Sequence, residues 1–263
     1  MRTSHKEMRR KINAEVSKIT DEELFSSAAF AAYLTDIAEA VTKRYKRRLR
    51  VETIYDTSEN AMIACTNNRN ILINTGNYIS QSMPYRKLKA ESILGLVGHE
   101  VGHMLFTNFR ISETYFSELS YGRLYPQMEL SEEEQESFTE VTDYFKTGTE
   151  AQKQVILKAA KLLLNILEDA YIEARICDRY TGRFATGIHL NNIRFTEMMP
   201  SVTEQLINGC YRFSVFCNLL NQYCRSGDIN NRDGYAGELL DLFYDVLPLV
   251  DDAIYDEDMK RRC

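Results

Sequence analysis

The run Glu91-Ser92-Ile93-Leu94-Gly95-Leu96-Val97-Gly98-His99-Glu100-Val101-Gly102-His103-Met104-Leu105-Phe106-Thr107-Asn108 is apolar on almost every side, yet ends in a polar pattern, His-Glu-x-x-His. Residues four apart on an α-helix stand one above the other, so His99 and His103 point two imidazoles at one place. Glu100 lies about 100° round the helix from His99, within reach of a water held there. Two neutral nitrogens and one carboxylate at this spacing fit a zinc hydrolase, in which Glu100 is the general base on a zinc-bound water. The chain has only four histidines, His5, His99, His103 and His189, and two of them fall at this spacing.

The glycines of the run add a second reading. Gly95, Gly98 and Gly102 stand at i, i+3 and i+7 and form one stripe. Each costs about 1 kcal/mol relative to Ala inside a helix. Such a stripe implies the close approach of another element.

The 263 residues are enough for a large core. Composition is that of a globular chain, 44% hydrophobic and 27% charged, and the net charge of -6 argues against nucleic acid as the main partner. No apolar run is long enough to cross a membrane, and Met1 to Lys18 is polar and basic with no signal core. These features point to the cytoplasm and to neither membrane nor nucleic acid. The six cysteines contain no Cys-x-x-Cys pair. Cys210, Cys217 and Cys224 are spaced by seven, about 10 Å apart along a helix, so they read as small core residues rather than a metal cluster.

Along the chain, Thr20 and Glu23 form a capping box for a helix reaching Val41. The basic run Lys43 to Arg48 reads as its C-terminus. Val51–Tyr55, Ala61–Thr66 and Ile71–Asn74 are short β-like runs divided by turn residues, a three-stranded sheet. Gly76, Ser82 and Pro84 open the His-Glu-x-x-His helix. Ile111 to Gln127, irregular and aromatic, reads as a loop or lid. Ser131 with Glu134 caps a helix that stops at Gly148, and Thr149 caps a long one to about Tyr180. A further helix runs from Ser201 to Gly227. Tyr235–Leu247 is helical and is broken by Pro248.

A hydrolytic zinc needs a third protein ligand. The acidic stretch Asn165-Ile166-Leu167-Glu168-Asp169-Ala170-Tyr171-Ile172-Glu173 follows three leucines, and buried carboxylates are costly unless paired or bound to a metal. Asn165, Asp169 and Glu173 recur every four residues along one face. Two assignments follow. Asp169 ligates with Asn165 and Glu173 behind it, or Glu168 ligates and Asp169 orients a histidine. His189 is the outside candidate. Tyr180, His189 and Arg194 follow the ligand helix as candidates to stabilise an oxyanion.

The two motifs, His99-Glu100-Val101-Gly102-His103-Met104-Leu105-Phe106-Thr107-Asn108-Phe109 and Asn165-x-x-Glu168-Asp169-x-x-Ile172-Glu173, resemble the zinc metallopeptidase region found N-terminal to von Willebrand A domains in bacterial and phage proteins. Those proteins are similar to cobaltochelatase-associated and nitric-oxide-reductase-activation proteins that work beside AAA+ ATPases. The resemblance covers Val51 to Arg179. It implies a zincin-like fold, a zinc ion, a peptide or protein substrate, and a von Willebrand A-domain or AAA+ ATPase partner. Nothing after residue 200 resembles an A domain, and no Asp-x-Ser-x-Ser metal site is present. The chain reads either as a stand-alone version or as the front part of a larger protein.

The expectation is an α+β, zincin-like chain: one domain over residues 1–263, with a helix, the sheet and the metal helix in 1–110 and a helical half in 111–263. The sheet packs on the metal helix and offers Ile71–Asn74 as the edge to which an extended substrate adds. The expected function is that of a zinc metallopeptidase using Glu100. The alternative is a non-catalytic adaptor stapled by zinc, which has no use for a carboxylate between the two histidines.

Overall fold

A computed structural model describes residues 4–45, 48–127 and 129–263. Met1–Thr3 of the basic N-terminus, and Lys46 and Arg47 of the basic run, lie outside the described residues. The chain is α+β, with one small three-stranded sheet among helices. In order come α1 (His5–Val16), α2 (Asp21–Phe25), α3 (Ala28–Thr42), β1 (Arg50–Ile54), β2 (Ala64–Thr66), β3 (Asn70–Asn74), α4 (Tyr78–Gln81) and α5 (Arg86–Phe106). Then follow α6 (Phe109–Ser120), α7 (Glu132–Thr147), α8 (Glu150–Arg179), α9 (Arg183–Met198), α10 (Val202–Ile207), α11 (Arg212–Ser226), α12 (Glu238–Tyr255) and α13 (Met259–Arg262). They form two compact units: Met1–Leu105 with Ile176–Asn191, and Phe106–Arg175 with Asn192–Cys263. No helix among the described residues is long and apolar enough to cross a membrane.

In the first unit the sheet order is β1-β3-β2, with β3 parallel to β1 and antiparallel to β2. This corrects the expected edge. The strand Asn70–Asn74 is the central one, and its core residues Ile71 and Ile73 are fully buried. A continuous apolar run is what a strand paired on both sides needs. The edges are β1 and β2. On β1, Thr35 of α3 meets the strand: Val51 N–H donates to Thr35 Oγ1 at 3.0 Å.

Buried polar groups carry the chain from β3 into α5. Asn74 Nδ2 donates to the Asp56 and Met62 carbonyls, at 2.8 and 2.9 Å. Asn77 caps α4 by accepting from Ser80 N–H at 2.9 Å, and Ser80 and Ser92 share a hydrogen bond of 2.8 Å between their hydroxyls. From α9, Asn191 Nδ2 donates to the Ser92 carbonyl at 2.9 Å. Each partner removes the penalty of burying a polar group. Two glycines of the stripe, Gly95 and Gly98, have the expected cause. A Cβ on Gly95 would collide with the backbone of Gly187 on α9, and one on Gly98 would meet the Phe184 ring at 2.9 Å. No side chain fits between two backbones at that approach.

The second unit buries Ile166, Val215, Leu219, Leu239 and Phe243 in one core. Several boundaries differ from the sequence reading. Residues 109–120 are helical: Asn108 caps α6 by accepting from Ile111 N–H at 3.3 Å, and Leu119 is buried. Ile111, Tyr115 and Leu119, four apart, give it an apolar face. The helix expected from Ser201 to Gly227 is two helices, since Gly209 has φ of 77°. Cys210 therefore leaves the face it was expected to share with Cys217 and Cys224. The first helix after Thr20 likewise stops at Phe25 and restarts behind Ser27, whose Oγ accepts from Phe30 N–H at 3.1 Å. Pro248 sits inside α12 instead of ending it. The carbonyl it leaves without a helical donor belongs to exposed Tyr244.

Candidate metal centre

Helix α5 presents the histidines as the spacing requires. The His99 and His103 rings stand edge to face with centroids 4.9 Å apart, both half-buried. Glu100, between them in sequence, is 4% exposed. On β2, the Cys65 thiol is pushed up by burial and by the Glu100 charge.

The third member is Asp169 of α8. One ring nitrogen from each histidine and one carboxylate oxygen of Asp169 all lie within 4.8 Å of one another. That is somewhat wider than the roughly 3.4 Å between ligands on a tetrahedral ion. The donor set, two imidazoles and a carboxylate, is of the types that bind divalent transition metals. His99, His103 and Asp169 therefore fit a metal ion.

Glu168, the other carboxylate expected as a possible ligand, has different partners. It is 4% exposed, and Arg262 of α13 donates to its Oε2 through Nη2 at 2.9 Å and Nε at 3.2 Å. Thr107 Oγ1 donates to Oε1 at 2.7 Å. The Arg262 guanidinium lies 3.7 Å from the centre of the Tyr171 ring. Both oxygens of Glu168 are thus occupied by protein donors.

The remaining candidates are placed as follows. Glu173 is buried and accepts from Asn192 Nδ2 at 2.7 Å and Arg225 Nη1 at 3.1 Å. Asn165 shares the face of Asp169 and Glu173 along α8 but is exposed where they are buried. His189 is on the exposed side of α9 and is not in the donor group. Tyr180 Oη donates to the Val41 carbonyl at 3.4 Å, and Arg194 pairs with Glu197. Sequence reasoning missed Arg225 and Arg262. Neither sits in a motif, and their partners are 56 and 94 residues away. The thiols of α11 are poor metal ligands at neutral pH: burial pushes Cys217 up to about 11, and burial with the charges of Asp251 and Asp169 pushes Cys224 to about 12 against Arg225.

Compared with known proteins, the chain matches no family model, no curated protein and no solved structure, so the reading of this site rests on its own geometry.

Proposed function

We propose that this chain is a zinc-dependent peptidase with a zincin-like site, in which His99, His103 and Asp169 hold the ion and Glu100 is the general base. The observation that carries the reading is the three-donor group with a buried carboxylate between its two histidines. When bound, the ion supplies a Lewis acid at the scissile carbonyl and lowers the pKa of water beside it. Glu100 accepts the proton of the attacking water and delivers it to the leaving amine. Its burial excludes bulk water from that transfer.

An extended peptide adds a strand to a sheet edge through main-chain hydrogen bonds. Of the two edges, β1 already receives Thr35 on Val51, whereas Cys65 of β2 feels the Glu100 charge. We assign the substrate to β2.

The test is Glu100→Gln, assayed on a random peptide library with zinc content measured in parallel. The variant is expected to keep its zinc and lose hydrolysis by about 100-fold or more, the usual scale for a positioned base. Wild-type rates in the variant would overturn the peptidase reading and leave the ion as a staple. His103→Ala is expected to lose the zinc as well.

A further inference from the structure

Asp169 is held by an arginine. Arg225, near the end of α11, donates from Nη2 to Asp169 Oδ2 at 3.1 Å and from Nη1 to Glu173 Oε1 at 3.1 Å. Nη1 also reaches Asn192 Oδ1 at 3.3 Å, and Nε donates to Asn221 Oδ1 at 2.6 Å. The guanidinium lies 5.5 Å from the centre of the Phe195 ring. Asn192 closes the network by donating to Glu173 Oε2 at 2.7 Å and to the Arg225 carbonyl at 3.2 Å. Every edge of the planar fork is engaged, so its direction is fixed.

Asp169 and Glu173, 7% and 6% exposed, are one helical turn apart, and both pair with Arg225.

We propose that Arg225 is the positioning residue of the metal ligand. By taking Asp169 Oδ2 it turns Oδ1 toward the ion, and by holding Glu173 it relieves the repulsion between two buried carboxylates. This rests on the metal reading above. Two effects of opposite sign compete. A cation on a ligand carboxylate weakens its attraction for the ion, whereas a fixed ligand direction strengthens binding. Loss of an outer partner of a metal ligand commonly lowers affinity about 10- to 100-fold, so orientation is expected to win.

The experiment measures zinc affinity of the full chain by competition with a chromophoric chelator, and the visible absorption of the cobalt(II) form, which reports ligand geometry. Arg225→Met is expected to bind zinc about 10- to 100-fold more weakly and to shift the cobalt band. Arg225→Lys is expected to recover part of the loss, since its ammonium keeps the charge but lacks the fork. A folded Arg225→Met with wild-type or tighter zinc affinity and an unchanged band overturns the proposal. Should that variant not fold, Asn221→Leu decides. It removes the Nε anchor and leaves both ion pairs, and we expect zinc affinity to weaken by about threefold or more, with unchanged affinity again overturning the proposal. His103→Ala separates the two levels. If it binds zinc like wild type, the metal site itself fails. If it loses zinc while Arg225→Met and Asn221→Leu do not, only the role of Arg225 fails.

Discussion

Helix α8 meets two arginines on neighbouring faces, and the two pair with its carboxylates differently. Arg262 serves one carboxylate, Glu168, with both side chains almost fully enclosed and a tyrosine ring over the guanidinium. Arg225 serves two carboxylates, Asp169 and Glu173, and its side chain is 20% exposed. The first cluster is neutral and closed. In the second, a carboxylate oxygen of Asp169 lies within 4.8 Å of a ring nitrogen of each of two imidazoles. What separates Glu168 from Asp169, adjacent on one helix, is the groups beside each, Arg262 and Thr107 for one and Arg225 and two imidazoles for the other.

The sharpest way to break this contrast is to remove Arg262. Arg262→Met leaves Glu168 buried without its cation, which costs about 3–5 kcal/mol in folding stability. Chemical denaturation measures it. If the neutral cluster is only structural, the protein that remains folded binds zinc within about threefold of wild type, well short of an outer-partner loss. A large loss of zinc affinity would instead tie Glu168 to the metal.

A smaller effect is expected at the second cluster. Asp169→Ala removes a ligand and should weaken zinc binding by about 100-fold, or about 2.7 kcal/mol. Glu168→Ala should leave affinity nearly unchanged while lowering the melting temperature. The reverse order in a zinc titration would exchange the two roles.

The smallest effect sharpens the argument. The double variant Glu168→Met with Arg262→Met replaces a buried ion pair by apolar residues of similar length. Such replacements are commonly neutral or stabilising, so stability should stay within about 1 kcal/mol of wild type or rise. A double variant as unstable as Arg262→Met alone would show that the pair does more than neutralise itself, through Thr107 and the Tyr171 ring.

Local signals were the ones the sequence displayed. The His99–His103 spacing, the capping boxes at Thr20 and Ser131, the stop at Gly148 and the three β runs all depend on residues within a few positions of one another. The close approach at Gly95 was legible as a cost that needs a reason, but its partner Gly187 was not. The choice between Glu168 and Asp169 was hidden because the arginines that decide it come 94 and 56 residues later. Strand order was misread because adjacency to α5 in sequence was taken for a place at the edge. The run Ile71-Leu72-Ile73 carried the opposite message. The aromatic density of Tyr115 and Phe116 masked the four-residue period of α6. Pro248 and the break at Gly209 show the two ways a helix breaker acts: it is tolerated where the carbonyl left over belongs to an exposed residue, and obeyed where φ turns positive.

The contact of Gly95 with Gly187 has a consequence for heat. Most helix pairs meet through side chains, which hop among rotamers as temperature rises and let the helices shift with them. At Gly95 and Gly187, α5 and α9 meet through main chain, which has no rotamers to exchange. His99 stands one turn beyond Gly95 on the same helix. The aim of its imidazole is therefore tied to the part of the packing with the fewest states to explore on warming.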